Sequence, residues 1–193
     1  MPRVIAGFFK GLRLVSPAGL NTRPSADRVK EAFFSMLTSL PFELEGAKVL
    51  DFFAGGGGLA LEALSRGAAS AVLADQDRAA LRAIDLNLTA ARRYRAVDAT
   101  VLHLSWPRGF ESLPAGRNFD LFLLDPPYAQ SSLPLELLLT ASARGLAAAA
   151  AVAVWEQSPA SLASLEQAET GPWRLIKSRA WGRRGAALLR HDP

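Results

Sequence analysis

Three carboxylates and one run of glycines carry the chemistry available to this chain. Asp51 follows the apolar pair Val49-Leu50, and Gly55-Gly56-Gly57-Gly58 comes a few residues later. Glycine turns sharply at positive φ and lets a ligand approach main-chain atoms closely. Gly55, Gly57 and Ala60 satisfy G-x-G-x-x-G/A, the pattern of a dinucleotide loop. Asp75 lies twenty residues after Gly55, where a carboxylate closing the next strand can hold two ribose hydroxyls. Two cofactors therefore compete, a nicotinamide dinucleotide and S-adenosylmethionine. Asp51 tips the balance. A carboxylate inside the strand before the glycines repels a pyrophosphate and suits the cationic amine of a methionine group. The plain structural alternative is a tight turn with a helix-capping acid.

The second constellation is Leu121-Phe122-Leu123-Leu124-Asp125-Pro126-Pro127-Tyr128, an apolar strand that ends in Asp-Pro-Pro-Tyr. Two consecutive prolines cannot continue a sheet or cheaply begin a helix. They stiffen the loop and leave carbonyls without local partners. Those carbonyls and the Asp125 carboxylate form a fixed set of acceptors, which suits the two hydrogens of an exocyclic amine. Tyr128 offers a flat face on which an extruded base can stack. Hydrogen bonds from the amine to Asp125 and the Pro126 carbonyl would favour a tetrahedral nitrogen. They would aim its lone pair at an activated methyl and disperse the developing positive charge. Such a displacement needs neither a metal nor a covalent enzyme intermediate. The alternative is a rigid Pro-Pro turn.

Alternating strands and helices must position these groups. The pattern predicts strands over 48–53, 71–74, 100–104, 119–124 and 150–155. It predicts helices over 59–66, 78–92, 135–145 and 161–168. Residues 173–179 and 186–190 form a closing hairpin around Gly182 and Gly185. An earlier helix begins near Ser25, runs through Val29, Ala32, Phe33, Met36 and Leu37, and stops at Pro41. Residues 1–17 read as a hairpin turning at Lys10-Gly11, with Pro17 to Pro24 as connector. The fold class is α/β: a Rossmann-like, mainly parallel sheet with helices on both faces and an N-terminal β-hairpin appendage. Two parts are expected: a hairpin over 1–17, the RNA-binding part if the basic residues and motifs described below carry their usual meaning, and a larger α/β domain over 18–193, which would be the methyltransferase domain if the cofactor is S-adenosylmethionine.

Bulk properties narrow the classes. The chain has 193 residues, half of them hydrophobic, which suits one globular domain with a small appendage. It has no cysteine and two distant histidines, which argues against disulfides, thiolate sites and a protein zinc centre. The start lacks the apolar core of a signal peptide, and no run is long enough to span a bilayer, so a cytoplasmic protein without membrane contact is expected. The net charge is +4, clustered over residues 3–30, at Arg92, Arg93 and Arg95, and over 174–190. Such stretches suit a polyanion. Phe8 and Phe9 near the hairpin turn would either wedge against RNA or anchor the hairpin. Arg92, Arg93 and Arg95 would be a solvated helix end or an RNA contact. His103 would be a core or adenine-pocket histidine, Asn87 would secure a neighbouring loop, and Glu62 would face the cofactor loop or solvent.

Several motifs together resemble one family. Asp51 to Glu62 with Ala63-Leu64-Ser65-Arg66-Gly67-Ala68, and Asp125-Pro126-Pro127-Tyr128, are similar to the bacterial small-subunit ribosomal RNA guanine-N2 methyltransferases. Arg3-Val4-Ile5-Ala6-Gly7, Lys10-Gly11, Thr22-Arg23-Pro24, Asp27 to Phe33 and Arg179-Ala180-Trp181-Gly182 extend the likeness over nearly the whole chain. Asp-Pro-Pro-Tyr alone is shared with adenine-N6 DNA methyltransferases, which usually carry a recognition domain for which this chain has no room. Protein-glutamine methyltransferases usually have Asn at the Asp125 position. A non-catalytic assembly factor of the same fold is the rival from another class.

The resemblance implies a seven-stranded sheet, S-adenosylmethionine as cofactor, and one guanine of 16S rRNA as target, in an assembled or nearly assembled small subunit. It implies that Asp51, Ala54, Gly55 and Gly57 hold the methionine end and Asp75 the ribose. Asp125, Pro126, Pro127 and Tyr128 would act at the target base. Arg3, Lys10, Arg13 and Arg23 are the expected RNA contacts. Three departures stand out. Gly56 replaces the usual serine, which would loosen the loop. Asp75 replaces a more usual Glu, which shortens its reach. Residues 98–105 lack the acid that often holds the adenine amine, so a backbone contact near Leu104 or Ser105 is expected.

Overall fold

The computed structural model describes residues 1–17, 25–107, 109–113, 116–126 and 132–193. The elements are α1 (Ser25–Leu37), β1 (Lys48–Phe52), α2 (Gly58–Ser65), β2 (Ser70–Asp75), α3 (Arg78–Ala91) and β3 (Ala99–His103). A 3-10 turn (Phe110–Ser112), β4 (Phe119–Leu124), α4 (Leu133–Ala143), β5 (Ala147–Gln157), α5 (Pro159–Leu165), β6 (Trp173–Trp181) and β7 (Arg184–His191) follow. The sheet has seven strands in the order β3-β2-β1-β4-β5-β7-β6. Element ends differ from the sequence expectation by a few residues. Helix α1 ends at Leu37, the last apolar residue of the expected helix, and the hydroxyls of Thr38 and Ser39 donate to the carbonyls of Ser35 and Met36 just before Pro41.

The chain forms two compact units, residues 1–105 and 106–193. In the first, β1, β2 and β3 pair in parallel, with Asp51 level with Leu73 and Asp75 level with His103. After Lys48, every residue of β1 is buried, as expected for a parallel strand covered on both faces. Helix α2 is apolar nearly all round and buried throughout from Leu59 to Ser65. Helix α3 is capped by Asp77, whose side chain accepts the Ala79 N–H at 2.7 Å. Its buried face is Ala80, Ala83, Ile84, Asn87, Leu88 and Ala91.

Residues 1–17 form a closed loop held by one antiparallel bridge, Arg3 to Arg13, instead of two regular strands. The loop is built into the first unit. The Glu62 carboxylate, completely buried on α2, accepts the N–H groups of Ile5 (2.7 Å) and Ala6 (3.0 Å). Ser65 Oγ accepts the Phe9 N–H, and the Ser65 carbonyl accepts that of Phe8, both at 2.8 Å. Gly7, at φ +80°, lies so close that a Cβ there would stand 1.8 Å from the Ser65 carbonyl oxygen. Val4, Phe9 and Leu14 are buried.

In the second unit β4 and β5 are parallel, while β5, β7 and β6 pair antiparallel, the closing hairpin expected from the sequence. The alanine run at 147–150 is not buried strand. Ala150 adopts φ 62°, the β4–β5 register shifts there, and burial begins at Ala151. Buried Trp173 ties β6 to α4, donating Nε1–H to the Leu138 carbonyl (3.0 Å) and Ser142 Oγ (2.8 Å). Arg144 closes α4 by donating to the carbonyls of Phe110, Glu111 and Leu113.

Candidate active site

Asp51 is the fourth residue of β1 and 1% exposed. Its Oδ2 accepts the Ala60 N–H at 3.0 Å, in the first turn of α2. Its Oδ1 is buried and has no hydrogen-bond partner. Burial pushes this carboxyl up from 3.8 to about 7; the Ala60 N–H opposes the shift and the Asp75 charge adds to it. A buried acceptor left open costs free energy unless something donates to it. A cationic amine is the donor that this group favours most, since it would also restore the charged form.

The loop after β1 is shaped by three residues at positive φ: Phe53 (76°), Gly55 (53°) and Gly57 (76°). The two glycines serve different ends. A Cβ on Gly55 would meet nothing within 4 Å, so its main chain is open to a ligand. A Cβ on Gly57 would stand 2.9 Å from Leu73 Cδ2 and 3.3 Å from Ile84, so Gly57 packs α2 against β2 and α3. Gly56, in place of the usual serine, is tied at its carbonyl and closely approached by the N-terminal loop. Asn87 Nδ2 donates to its carbonyl at 2.8 Å, and a Cβ there would stand 3.0 Å from the Val15 carbonyl oxygen. A serine would crowd that contact. Ala54 is buried at the turn and donates its N–H to the Ala74 carbonyl.

Asp75 ends β2 and is half-buried. Its Oδ2 accepts the Gly55 N–H at 2.8 Å and its Oδ1 the Asp77 N–H at 2.9 Å. The carboxylate thus braces the glycine loop, and each oxygen keeps acceptor capacity for a hydroxyl. The Leu104 N–H is already given to the Asp75 carbonyl (3.1 Å), so a backbone donor for a ligand falls to Ser105. His103 is not in the core: it is exposed, with Nε2 3.0 Å from the Gln76 carbonyl oxygen.

In the second unit, Asp125 directly follows β4 and is exposed, and Pro126 is buried. Pro127, Tyr128 and Arg23 lie outside the described residues. Among the described residues no group of three or more His, Asp or Glu could hold a metal ion, and no helix is long and apolar enough to cross a membrane.

The basic stretches divide into paired and unpaired cations. Lys30 is 4% exposed and donates to the Arg3 carbonyl, 3.4 Å from Asp27; burial lowers its pKa. It is a structural cation, not a surface one. Arg3 also pairs with Asp27, at 3.8 Å. Arg184 pairs with buried Glu156 at 2.8 Å, and Arg174 and Arg190 pair with Asp192. Lys10, Arg13, Arg92, Arg93 and Arg95 are exposed, and no carboxylate among the described residues pairs with them. Glu62 faces neither the cofactor loop nor solvent; besides Ile5 and Ala6 it binds Arg66, 2.8 Å away. Asn87 does secure a loop, and two at once: its Oδ1 accepts the Val15 N–H, and its Nδ2 donates to the carbonyls of Val15 and Gly56. Sequence alone could not assign Gly7 or Ser65 a role, because their contact spans more than fifty residues of chain.

Solved methyltransferases superpose on this chain. The rRNA methyltransferase aviRa from Streptomyces viridochromogenes superposes with a TM-score of 0.64, covering 92% of this chain and 88% of its own at 20% identity, a likeness of fold alone. The Escherichia coli protein yhhF superposes with a TM-score of 0.78 at 29% identity, covering 98% of this chain and 97% of its own. The fold is that of the α/β methyltransferases. The family described as "Conserved hypothetical protein 95" matches residues 2–190, and the chain belongs to it. The Bacillus subtilis protein YlbH is 38% identical over 145 residues, 71% of this chain and 72% of its own. Ribosomal RNA small subunit methyltransferase D of Escherichia coli is 34% identical over 133 residues, 68% of this chain. That alignment spans 62% of the Escherichia coli protein.

Proposed function

We propose that this chain transfers a methyl group from S-adenosylmethionine to the exocyclic N2 amine of a guanine in 16S rRNA, within an assembled or nearly assembled small subunit in the cytoplasm. The observation that carries the reading is the buried, unpartnered Asp51 Oδ1 next to a glycine loop whose Gly55 leaves room for a ligand. The bound cofactor supplies an activated sulfonium methyl. On this reading Asp51 takes the cationic amine of its methionine end, and Asp75 accepts from its ribose hydroxyls with the acceptor capacity left beside Gly55 and Asp77. Asp125 and the Pro126 carbonyl accept the hydrogens of the target amine, which favours a tetrahedral nitrogen and disperses charge as it develops. Asp125 then takes the proton and passes it to water. Pro127 keeps the loop stiff, and Tyr128 offers its ring to the extruded base. The names of the relatives support rRNA as the substrate, and the Asp-Pro-Pro-Tyr segment supports an amine as the acceptor.

Two measurements test this. Calorimetry with S-adenosylhomocysteine is expected to show one site per chain, and no binding would refute the cofactor assignment. Mass mapping of small-subunit rRNA from a deletion strain is expected to reveal one guanine lacking a methyl group, restored by the purified protein and cofactor. Restoration at an adenine would refute the guanine assignment.

A further inference from the structure

The N-terminal loop and the far end of α3 share a surface feature that folding does not explain. Phe9 is the anchor of the loop, 1% exposed, with its ring edge-on to Tyr94 at 6.2 Å between centroids. Phe8, its neighbour, is 59% exposed, and Tyr94 is 58% exposed. The Arg95 guanidinium lies over the Phe8 ring, 4.2 Å from its centroid. Lys10 follows Phe8 by two residues, and Arg92 and Arg93 adjoin Tyr94. From Ala6 to Arg13 and from Ala91 to Val97 there is no acidic residue. Two exposed rings, a guanidinium stacked on one of them, and unpaired cations close by in the chain combine the two parts of a single-strand platform: flat faces for bases and positive charge for phosphates. A duplex hides its base faces and would leave the rings without a function.

The position of this patch matters. The glycine loop is held at Asn87, and Tyr94 follows seven residues later, beyond the end of α3 at Ala91. The patch is therefore displaced from the cofactor loop, toward the end of α3 that leads into the start of β3.

We propose that Phe8, Tyr94 and Arg95, with Lys10, Arg92 and Arg93, form a docking site for an unpaired RNA segment distinct from the target nucleotide. This rests on the reading of the chain as an rRNA methyltransferase. Exposed bases stack on Phe8, Tyr94 and the free face of the Arg95 guanidinium, and the flanking cations neutralise phosphates.

The test is fluorescence anisotropy with the full chain and labelled RNA of about a dozen nucleotides, offered single-stranded and as its blunt duplex. The wild type binds the single strand more tightly. The double variant Phe8→Ala/Tyr94→Ala loses about tenfold in single-strand affinity, the scale of one lost stacked base. Phe8→Tyr, which keeps the ring, binds like the wild type. The triple variant Arg92→Gln/Arg93→Gln/Arg95→Gln lowers the slope of log affinity against log salt by about two. S-adenosylhomocysteine titration of each variant shows that its fold is intact. Wild-type affinity in the double variant, or tighter binding of the duplex by the wild type, overturns the docking site and leaves the methyltransferase reading standing. A wild type that binds no S-adenosylhomocysteine, while the ring variants still lose single-strand binding, overturns the methyltransferase reading and upholds the site.

Discussion

Asp51 holds one oxygen on Ala60 N–H and buries the other without a partner, and its behaviour with pH follows. Its pKa is raised above the unfolded value, from 3.8 to about 7, so the folded chain keeps a proton that the unfolded chain has lost. The stability this contributes is fully present below about pH 4 and is lost as the pH rises through about 7. A ligand amine reverses the preference by pairing with the carboxylate. Affinity for S-adenosylhomocysteine should therefore rise between about pH 6 and 8, with proton release at neutral pH measurable by calorimetry in buffers of different ionisation heat. Asp51→Asn should flatten that profile. Asp75→Ala removes the brace on Gly55 as well as the proposed ribose contact, and should cost about 1–3 kcal/mol of S-adenosylhomocysteine affinity by titration. Asp125→Ala should abolish methyl transfer to the ribosomal particle with cofactor affinity little changed; a fully active variant would remove Asp125 from the chemistry. The positions of Asp75 at the end of β2 and Asp125 just after β4 were legible in the sequence, because an apolar run that stops at an acid marks where a buried strand emerges, and Asp51 was legible as a carboxylate inside β1. The division of labour between Gly55 and Gly57 was not, since it depends on Leu73 and Ile84, which reach the loop only through the fold.

Among the elements, α2 and α3 carry the most connections. Helix α2 offers Glu62 and Ser65 to the N-terminal loop, and α3 offers Asn87 to that loop and to the glycine turn. Asn87→Ala would leave the Val15 N–H and two carbonyls without their partner. It should lower stability by about 1–3 kcal/mol in denaturant titration and weaken S-adenosylhomocysteine, because the glycine turn loses its tether. Asn87→Asp keeps the acceptor but not the donors and should rescue only part of the loss. Gly7→Ala must push the chain away from the Ser65 carbonyl and should destabilise by more than about 1 kcal/mol. The strands and helices were readable because strand burial and helical period leave strong patterns. The irregularities were not. Ala150 sits in an alanine run without local signal, and its left-handed turn reflects the register demanded between β4 and β5. Residues 1–17 showed their turn at Lys10-Gly11, but not that main-chain bonds across the loop would be joined by bonds to the side chains of Glu62, Ser65 and Asn87 on α2 and α3.

For the molecule as a whole, the charge map differs from the charge count. Part of the basic excess is spent inside the structure, by Lys30 under the N-terminal loop and by Arg184 on Glu156. What remains at the surface includes Lys10, Arg13 and the arginines after α3. The sequence suggested a detachable RNA-binding hairpin, yet deleting residues 1–17 would strip Glu62 of two main-chain donors and uncover the contacts of Val4, Phe9 and Leu14. The truncated chain should melt at a lower temperature than the full chain and lose S-adenosylhomocysteine affinity, where a mere appendage would change neither. The same anchoring sets an order of events during synthesis. Residues 5–9 leave the ribosome well before their partners: Glu62 and Ser65 are made more than fifty residues later, and Asn87 comes 72 residues after Val15. At about 5–20 residues per second, the opening segment waits roughly 4–14 s for its seat. Through that interval Phe9, buried in the folded chain, travels uncovered on the nascent chain, open to chaperones before it belongs to the fold.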